Sequence, residues 1–533
     1  NVAATLKKLN DSSLGVRGFS DESGIPRSTL QGWRYSRIKI AAETEVVDFF
    51  ESEKGQVFLH RLMCSMIFCL HECGSASIGS IAEFLELSGL SAFTASKPSY
   101  LKNFARTMQT EIASFGEEKS AQLAKTMTPR SISIAQDETF FRNKPCLVGT
   151  ELISNYILLE QMTVDRKADT WNKAMEGALN GLPVNVIQST SDEGASLLKH
   201  TKESLGAAHS PDLYHVVQDI GRSGSAALKV KEKSCRKELD TITEKRIKKA
   251  IKVNSSSAET FEEETEKQRL EKLQKEEQQA LQELYQTQQK TDEFNEGRRA
   301  VGLNYHPYDL QNGLRQSPEK VESLLIKNML QCKNAIVDFG GSAQAKLAKA
   351  MRLIPSMKAT LIFYFTMTAK NLDELNFDFT ARGLIEDELM PAAYLKVVAK
   401  KEKNKKKSEA LLALANEKLS DFKRRSGPYS RYSQKELNKM CDAACENVQI
   451  FQRSSSCVEG RNAQLKLKYH NLHRLTDSKL KALTVIHNFH IKRSDGTTPA
   501  QRFFKQSHES LFEAIIKKIP ELSRPRKRQL KIA

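Results

Sequence analysis

The 533 residues contain no Cys-x-x-Cys pair, and no apolar run approaches the roughly 20 residues needed to cross a bilayer. The longest apolar stretches, Leu62 to Leu70 and Leu361 to Phe365, are far shorter, so membrane-spanning helices are not expected. The nine cysteines, at positions 64, 69, 73, 146, 235, 332, 441, 445 and 457, are scattered through a chain too long to need disulfide staples. Free thiols in a reducing, intracellular compartment are expected. Cys64, Cys69, His71 and Cys73 crowd one apolar helical stretch. Their spacing fits none of the common zinc patterns, so buried thiols are expected there. No signal-peptide pattern is seen, and the first residue is not Met.

What the chain does have is positive charge: 82 Lys and Arg against 65 Asp and Glu give a net charge of +17 and a pI near 9.3. A polyanionic partner is the simplest reason to carry that potential. The length implies roughly three or four domains or subdomains.

Near the N-terminus, LGVRGFSDESGIPRSTLQGWRYS (14–36) predicts two short helices around Gly24. Val16, Phe19, Ile25, Leu30 and Trp33 would supply the shared core of a helix-turn-helix. Arg27, Ser28, Thr29, Gln31 and Arg34 would then face outward toward base edges and phosphates. Two ordinary packed helices are the alternative. Residues 78–108 repeat the pattern, with Lys97, Lys102 and Arg106 on the second helix.

From Ser131 the periodicity turns to strands. These are predicted at 131–136, 146–153, 156–164, 184–191 and 213–220, with Ser154-Asn155 as a hairpin turn and helices before and after the fourth. The order β-β-β-α-β-α-β predicts a mixed five-stranded sheet with flanking helices. Residues 229–299 are rich in Glu, Lys and Gln, with Leu270, Leu273, Leu281 and Leu284 at helical spacing. They read as a coiled-coil arm or a long solvated helix. The run Lys400 to Lys407 is either a DNA-backbone contact or a solvated segment, and Arg524 to Lys531 is a basic tail.

Asp137 follows the first predicted strand, Asp192 follows the fourth, and Glu459 lies on a later helix, 267 positions beyond Asp192. This order, together with Asp212-Leu213-Tyr214-His215, resembles the DDE transposases of the RNase H-like superfamily, relatives of retroviral integrases. In many of them a Cys or Asp, two residues, then His follows the second catalytic Asp, and a helical insertion precedes the catalytic Glu. The resemblance covers residues about 128–222 and 440–495.

It implies helix-turn-helix DNA binding over 1–60 and a second helical unit over 61–127. An RNase H-like core over 128–222 and 441–500 would be split by an all-α insertion over 223–440 and followed by a basic tail over 501–533. It also implies Asp137, Asp192 and Glu459 as ligands of two Mg²⁺ (or Mn²⁺) ions, with His215 close to the reacting atoms. Arg461, Lys466 and Lys468 would track the DNA backbone, or simply form a solvated helix face.

The implied activity is DNA cleavage and strand transfer at the terminal inverted repeats of a mobile element, joined to target DNA by a homodimer or larger assembly. No membrane is implied; the location would be cytoplasmic on the nucleoid, or nuclear in a eukaryote. A resolvase-like nuclease on the same fold and a non-catalytic DNA-binding descendant are the alternatives.

Overall fold

The computed structural model describes residues 2–37, 44–255 and 261–523. They form a mixed α/β protein with one five-stranded sheet: β1 (Arg130–Phe141), β2 (Lys144–Glu151), β3 (Ile157–Met162), β4 (Val184–Ser191) and β5 (Ala208–Pro211). The strand order is β3-β2-β1-β4-β5, with β2 and β3 antiparallel and β4 and β5 parallel. The chain divides into two compact units, Asn1–Ile132 with Asp137–Asn185 and Cys457–Ala533, and Ser133–Gln136 with Val186–Ser456.

In the first unit, α1 (Val2–Asp11), α2 (Val16–Ser23) and α3 (Arg27–Arg37) share a core of Leu6, Leu9, Phe19 and Leu30, with Val16, Ile25 and Trp33 against it. Gly24 ends α2 in the left-handed conformation (φ 68°), which costs glycine nothing. The β2–β3 hairpin turns through Asn155, also left-handed, while the buried Glu151 carboxylate accepts hydrogen bonds from the Ile153 and Ser154 amides. β3 is an edge strand, and its Ile157 main chain is paired by a side chain: Asn488 accepts from the amide and donates to the carbonyl, both at 2.9 Å. That closes off an edge otherwise open to another strand. Asn488 lies on the helix Asp477–Phe489, which packs against Pro98–Lys125. A buried ion pair, Lys479 Nζ to Glu72 at 2.6 Å with Gln109 donating to the same carboxylate, anchors that helix to residues 67–74.

In the second unit, Leu213–Ser255 and Phe261–Asn304 form an antiparallel helical hairpin of 43 and 44 residues, each about 65 Å long at helical rise. Its cross-helix pairs, among them Cys235 with Thr287 and Thr243 with Glu277, fix the antiparallel register. The base of this arm joins the helices after it in one apolar core around Phe294, Tyr305, Tyr308, Tyr364, Tyr394 and Phe451. A buried polar ladder runs through the strands: Ser133 donates to Gln188, Gln188 to Ser210, and Thr360 to Ser210.

Two expectations change. The fifth strand is not residues 213–220 but Ala208–Pro211, and Leu213 begins a helix. Leu213, Val216, Val217 and Ile220 lie at i, i+3, i+4 and i+7, the stripe of an amphipathic helix. Asp212 caps that helix by accepting from the Tyr214 amide at 2.8 Å. β1 also runs on to Phe141, so Asp137 lies within the strand rather than at its end. Among the described residues no helix is long and apolar enough to cross a membrane. The basic tail from Arg524 lies outside the described residues.

Candidate functional site

Within the second unit, parallel pairing sets Ser191 of β4 beside Pro211 of β5. The Asp212 amide continues the ladder to the Ser191 carbonyl at 3.1 Å. Asp192 and Asp212 therefore leave neighbouring strands at the same level. Asp192 Oδ1 accepts from the Gly194 amide at 3.2 Å. Asp212 is buried, Ser455 Oγ donates to its Oδ2, and His215 Nε2 lies 4.0 Å from the same oxygen. His215 sits in the first turn of the arm's first helix, not mid-strand as predicted.

Burial and the neighbouring charge of Asp192 push the Glu193 carboxyl upward, and Glu193 Oε1 is buried without a hydrogen-bond donor. His209 Nδ1 lies 3.7 Å from that oxygen. Burial lowers the imidazole to about 4, however, so it is neutral at pH 7 and offsets none of the charge. The result is a surplus of carboxylate at the ends of β4 and β5, an environment suited to a hard divalent cation.

Within the first unit, Asp137 Oδ1 accepts from the Glu138 amide at 2.8 Å and Oδ2 from Asn462 Nδ2 at 2.7 Å. Asn462 lies one turn beyond Glu459 on the helix Ser456–Leu472, so it ties the helix that carries Glu459 to the strand that carries Asp137. Asn462 Oδ1 is buried and has no hydrogen-bond donor. An orphaned acceptor beside a carboxylate fits a site that receives a cation or its water. Glu459 occupies the first helical turn, where the helix dipole favours an acid.

In the second unit the segment leading into that helix is strapped down. Arg453 Nη1 donates to the Gly302 and Tyr305 carbonyls at 2.8 and 2.9 Å, satisfying carbonyls at the end of the arm's second helix, and the Arg453 carbonyl accepts from the Leu213 amide.

The predicted DNA-contacting residues separate. Arg27, Ser28 and Gln31 are exposed on α3; Thr29 is half-buried, and the Arg34 side chain lies outside the described residues. Lys466 is exposed. Arg461 does not belong to an outward stripe: it is 6 % exposed and makes a two-pronged pair with Glu160, 2.7 Å on each prong. The Glu160 side chain is fully buried. Lys468 is half-buried and donates to the Cys73 and Gly74 carbonyls at 2.6 Å, closing the end of a helix rather than facing solvent.

Sequence reasoning placed Glu193 only as a rival carboxylate beside Asp192 and Asn462 only as a DNA-tracking neighbour of Glu459, missed Ser455, and used Asp212 only as part of a motif. Asp212 carried a readable signal, an Asp cap ahead of an apolar stripe at helical spacing. The other three depend on partners distant in sequence or on burial. Among known families, one described as a family of unknown function (DUF6399) matches residues 385–531. The match includes the Glu459 helix and none of the strands. No curated protein matches the chain.

Proposed function

We propose that the protein is a DNA transposase of the DDE type on an RNase H-like core, cleaving and joining DNA strands with bound Mg²⁺. The single observation that carries this reading is the strand order β3-β2-β1-β4-β5, in which β1 carries Asp137 and the neighbouring β4 ends immediately before Asp192. Asp137, Asp192 and Glu459 would hold the ions. Asp212 and His215 of the second unit add a carboxylate and an imidazole of compatible chemistry. When bound, Mg²⁺ supplies Lewis acidity and lowers the pKa of a water or 3′-hydroxyl for in-line attack on a phosphodiester.

The chain's own residues orient these groups. Asn462 fixes one oxygen of Asp137, Ser455 and the Tyr214 amide fix both oxygens of Asp212, and Gly194 fixes Asp192. Helices α2 and α3 would act as the helix-turn-helix that reads the terminal repeats, through Arg27, Ser28 and Gln31. Joining two element ends calls for a dimer or larger assembly on DNA.

Supercoiled plasmid nicking and transfer of a labelled 3′-hydroxyl oligonucleotide, each with Mg²⁺ and with EDTA, test the reading. Wild-type protein should do both only with metal. Asp137→Asn should lose both by about a thousandfold or more while still binding duplex DNA, since a metal ligand contributes several kcal/mol to the barrier. Retained strand transfer by Asp137→Asn overturns the assignment, and nicking without joining points to the resolvase-like alternative.

A further inference from the structure

Toward the far end of the helical arm lies a groove of about 460 Å³ lined by Lys245, Lys248, Lys249, Lys252, Arg269 and Lys272, with Leu273 and Glu276. The four lysines occupy i, i+3, i+4 and i+7 on one helix. Arg269, Lys272, Leu273 and Glu276 occupy the same spacing on the other, so both stripes face one trough. We propose that this trough seats the phosphate backbone of double-stranded DNA, as a contact separate from the α2–α3 helices and from the carboxylate cluster.

The charge is only partly offset internally, since the six cations of the groove meet three carboxylates, Glu244, Glu266 and Glu276. Glu266 pairs with Lys249 and Arg269, while Glu276 and Glu244 lie only 3.9 and 4.0 Å from Lys272 and Lys248. Lys248 and Lys272 remain 78 % and 79 % exposed. The ammonium of Lys249 is pushed down by burial and by its cationic neighbours Arg269 and Lys252.

Dimensions agree. Lys245 to Lys252 covers about 10 Å of helix, and the same length of duplex carries about six phosphate charges. An anionic membrane surface fits less well, because an interfacial helix carries a broad apolar face opposite its cations. Here the face away from the lysines sets Ile247 and Ile251 beside the polar Thr243, which bonds Glu277 of the neighbouring helix. At helical rise the groove is about 50 Å along the arm from His215. A DNA contact there would lengthen the footprint far beyond the carboxylates.

The choice of DNA as the polyanion rests on the proposed function, so the test measures binding in EDTA, where no strand chemistry occurs. Full-length protein carrying Lys248→Glu, Lys252→Glu, Arg269→Glu and Lys272→Glu is compared with wild type on a short labelled duplex of arbitrary sequence, across a salt series. The affinity should fall at least about tenfold, and the slope of log affinity against log salt should shrink by about three to four, one counterion per lost phosphate contact. The same four positions changed to Gln should shrink the slope similarly, which guards against misfolding of the Glu variant; circular dichroism should show full helix content in both.

An unchanged affinity and slope in the Gln variant overturns the proposal. So does a loss confined to phosphatidylserine vesicles with duplex binding intact. Retained strand transfer by Asp137→Asn, with the groove variants still defective in binding, would remove the catalytic reading and leave the groove standing.

Discussion

Arg461 and Lys466 are five residues apart on one helix and answer to different physics. Lys466 is exposed, so its charge is free to meet a partner and its loss costs the fold little. Arg461 is buried against Glu160, whose side chain is fully enclosed and also accepts from Thr484 Oγ1 at 2.6 Å. Removing one member of a buried pair strands the other's charge, which costs about 3–5 kcal/mol. Arg461→Ala should therefore lower unfolding stability by about that much. Lys466→Ala should stay within about 0.5 kcal/mol of wild type. Urea unfolding distinguishes them; equal stabilities would mean that the Arg461–Glu160 pair is not enclosed in solution. Lys466→Ala is thus the clean probe of DNA contact on this helix, because a binding defect in Arg461→Ala would be confounded by loss of the fold.

At the scale of elements, the helices Pro98–Lys125 and Asp477–Phe489 approach so closely that a Cβ on Gly116 would lie 2.3 Å from Val485 Cγ2. Glycine within a helix costs about 1 kcal/mol relative to alanine, so Gly116→Ala in open space would stabilise. Here the clash outweighs propensity, because a β-branched side chain in a helix has essentially one rotamer and cannot turn away. Overpacking costs about 1–3 kcal/mol, giving a net loss for Gly116→Ala. Val485→Ala alone loses about 1.5 kcal/mol of apolar burial. The double variant should then be more stable than Val485→Ala by up to about 1 kcal/mol, the sign reversal that marks direct contact in a thermal-unfolding cycle. Additive losses would refute the close approach.

Elements of this kind were only partly legible in the sequence. β4 could be read to its last residue because VNVIQSTS is bounded by Pro183 and by Asp192-Glu193-Gly194. The core shared by α2 and α3 followed from spacing around Gly24, while Leu6 and Leu9 of α1, which complete it, were not foreseen. The strand predicted at 213–220 failed because apolar density alone does not separate a short strand from a helix stripe, and the deciding residue, Asp212, acts through a cap. Arg461 was misread because its partner lies 301 positions away, a distance no local pattern spans.

For the molecule as a whole, pH is the most informative variable, because both units bury neutral imidazoles. His200 and His209 in the second unit and His487 in the first are each pushed down to about 4, chiefly by burial. His306 is driven well below its ordinary value for the same reason. Between the unfolded value near 6.5 and the folded value near 4, the unfolded chain binds protons that the native protein does not. Stability is thus fully present above about pH 6.5 and is lost as pH falls through that window.

Glu193 works in the opposite direction, since its raised carboxyl makes the native state the better proton binder just above pH 4.5. One partly buried carboxyl does not offset these four histidines, each contributing on the order of 1–3 kcal/mol. The midpoint of urea unfolding should therefore fall steadily from pH 7 to pH 5, well before the carboxylates themselves titrate. His209→Asn should flatten part of that slope for the second unit and leave the His487 contribution to the first. A midpoint that holds level or rises over this range would mean that these imidazoles reach water in the native state. The enclosed surroundings of β4 and β5, on which the surplus of carboxylate depends, would then be wrong as well.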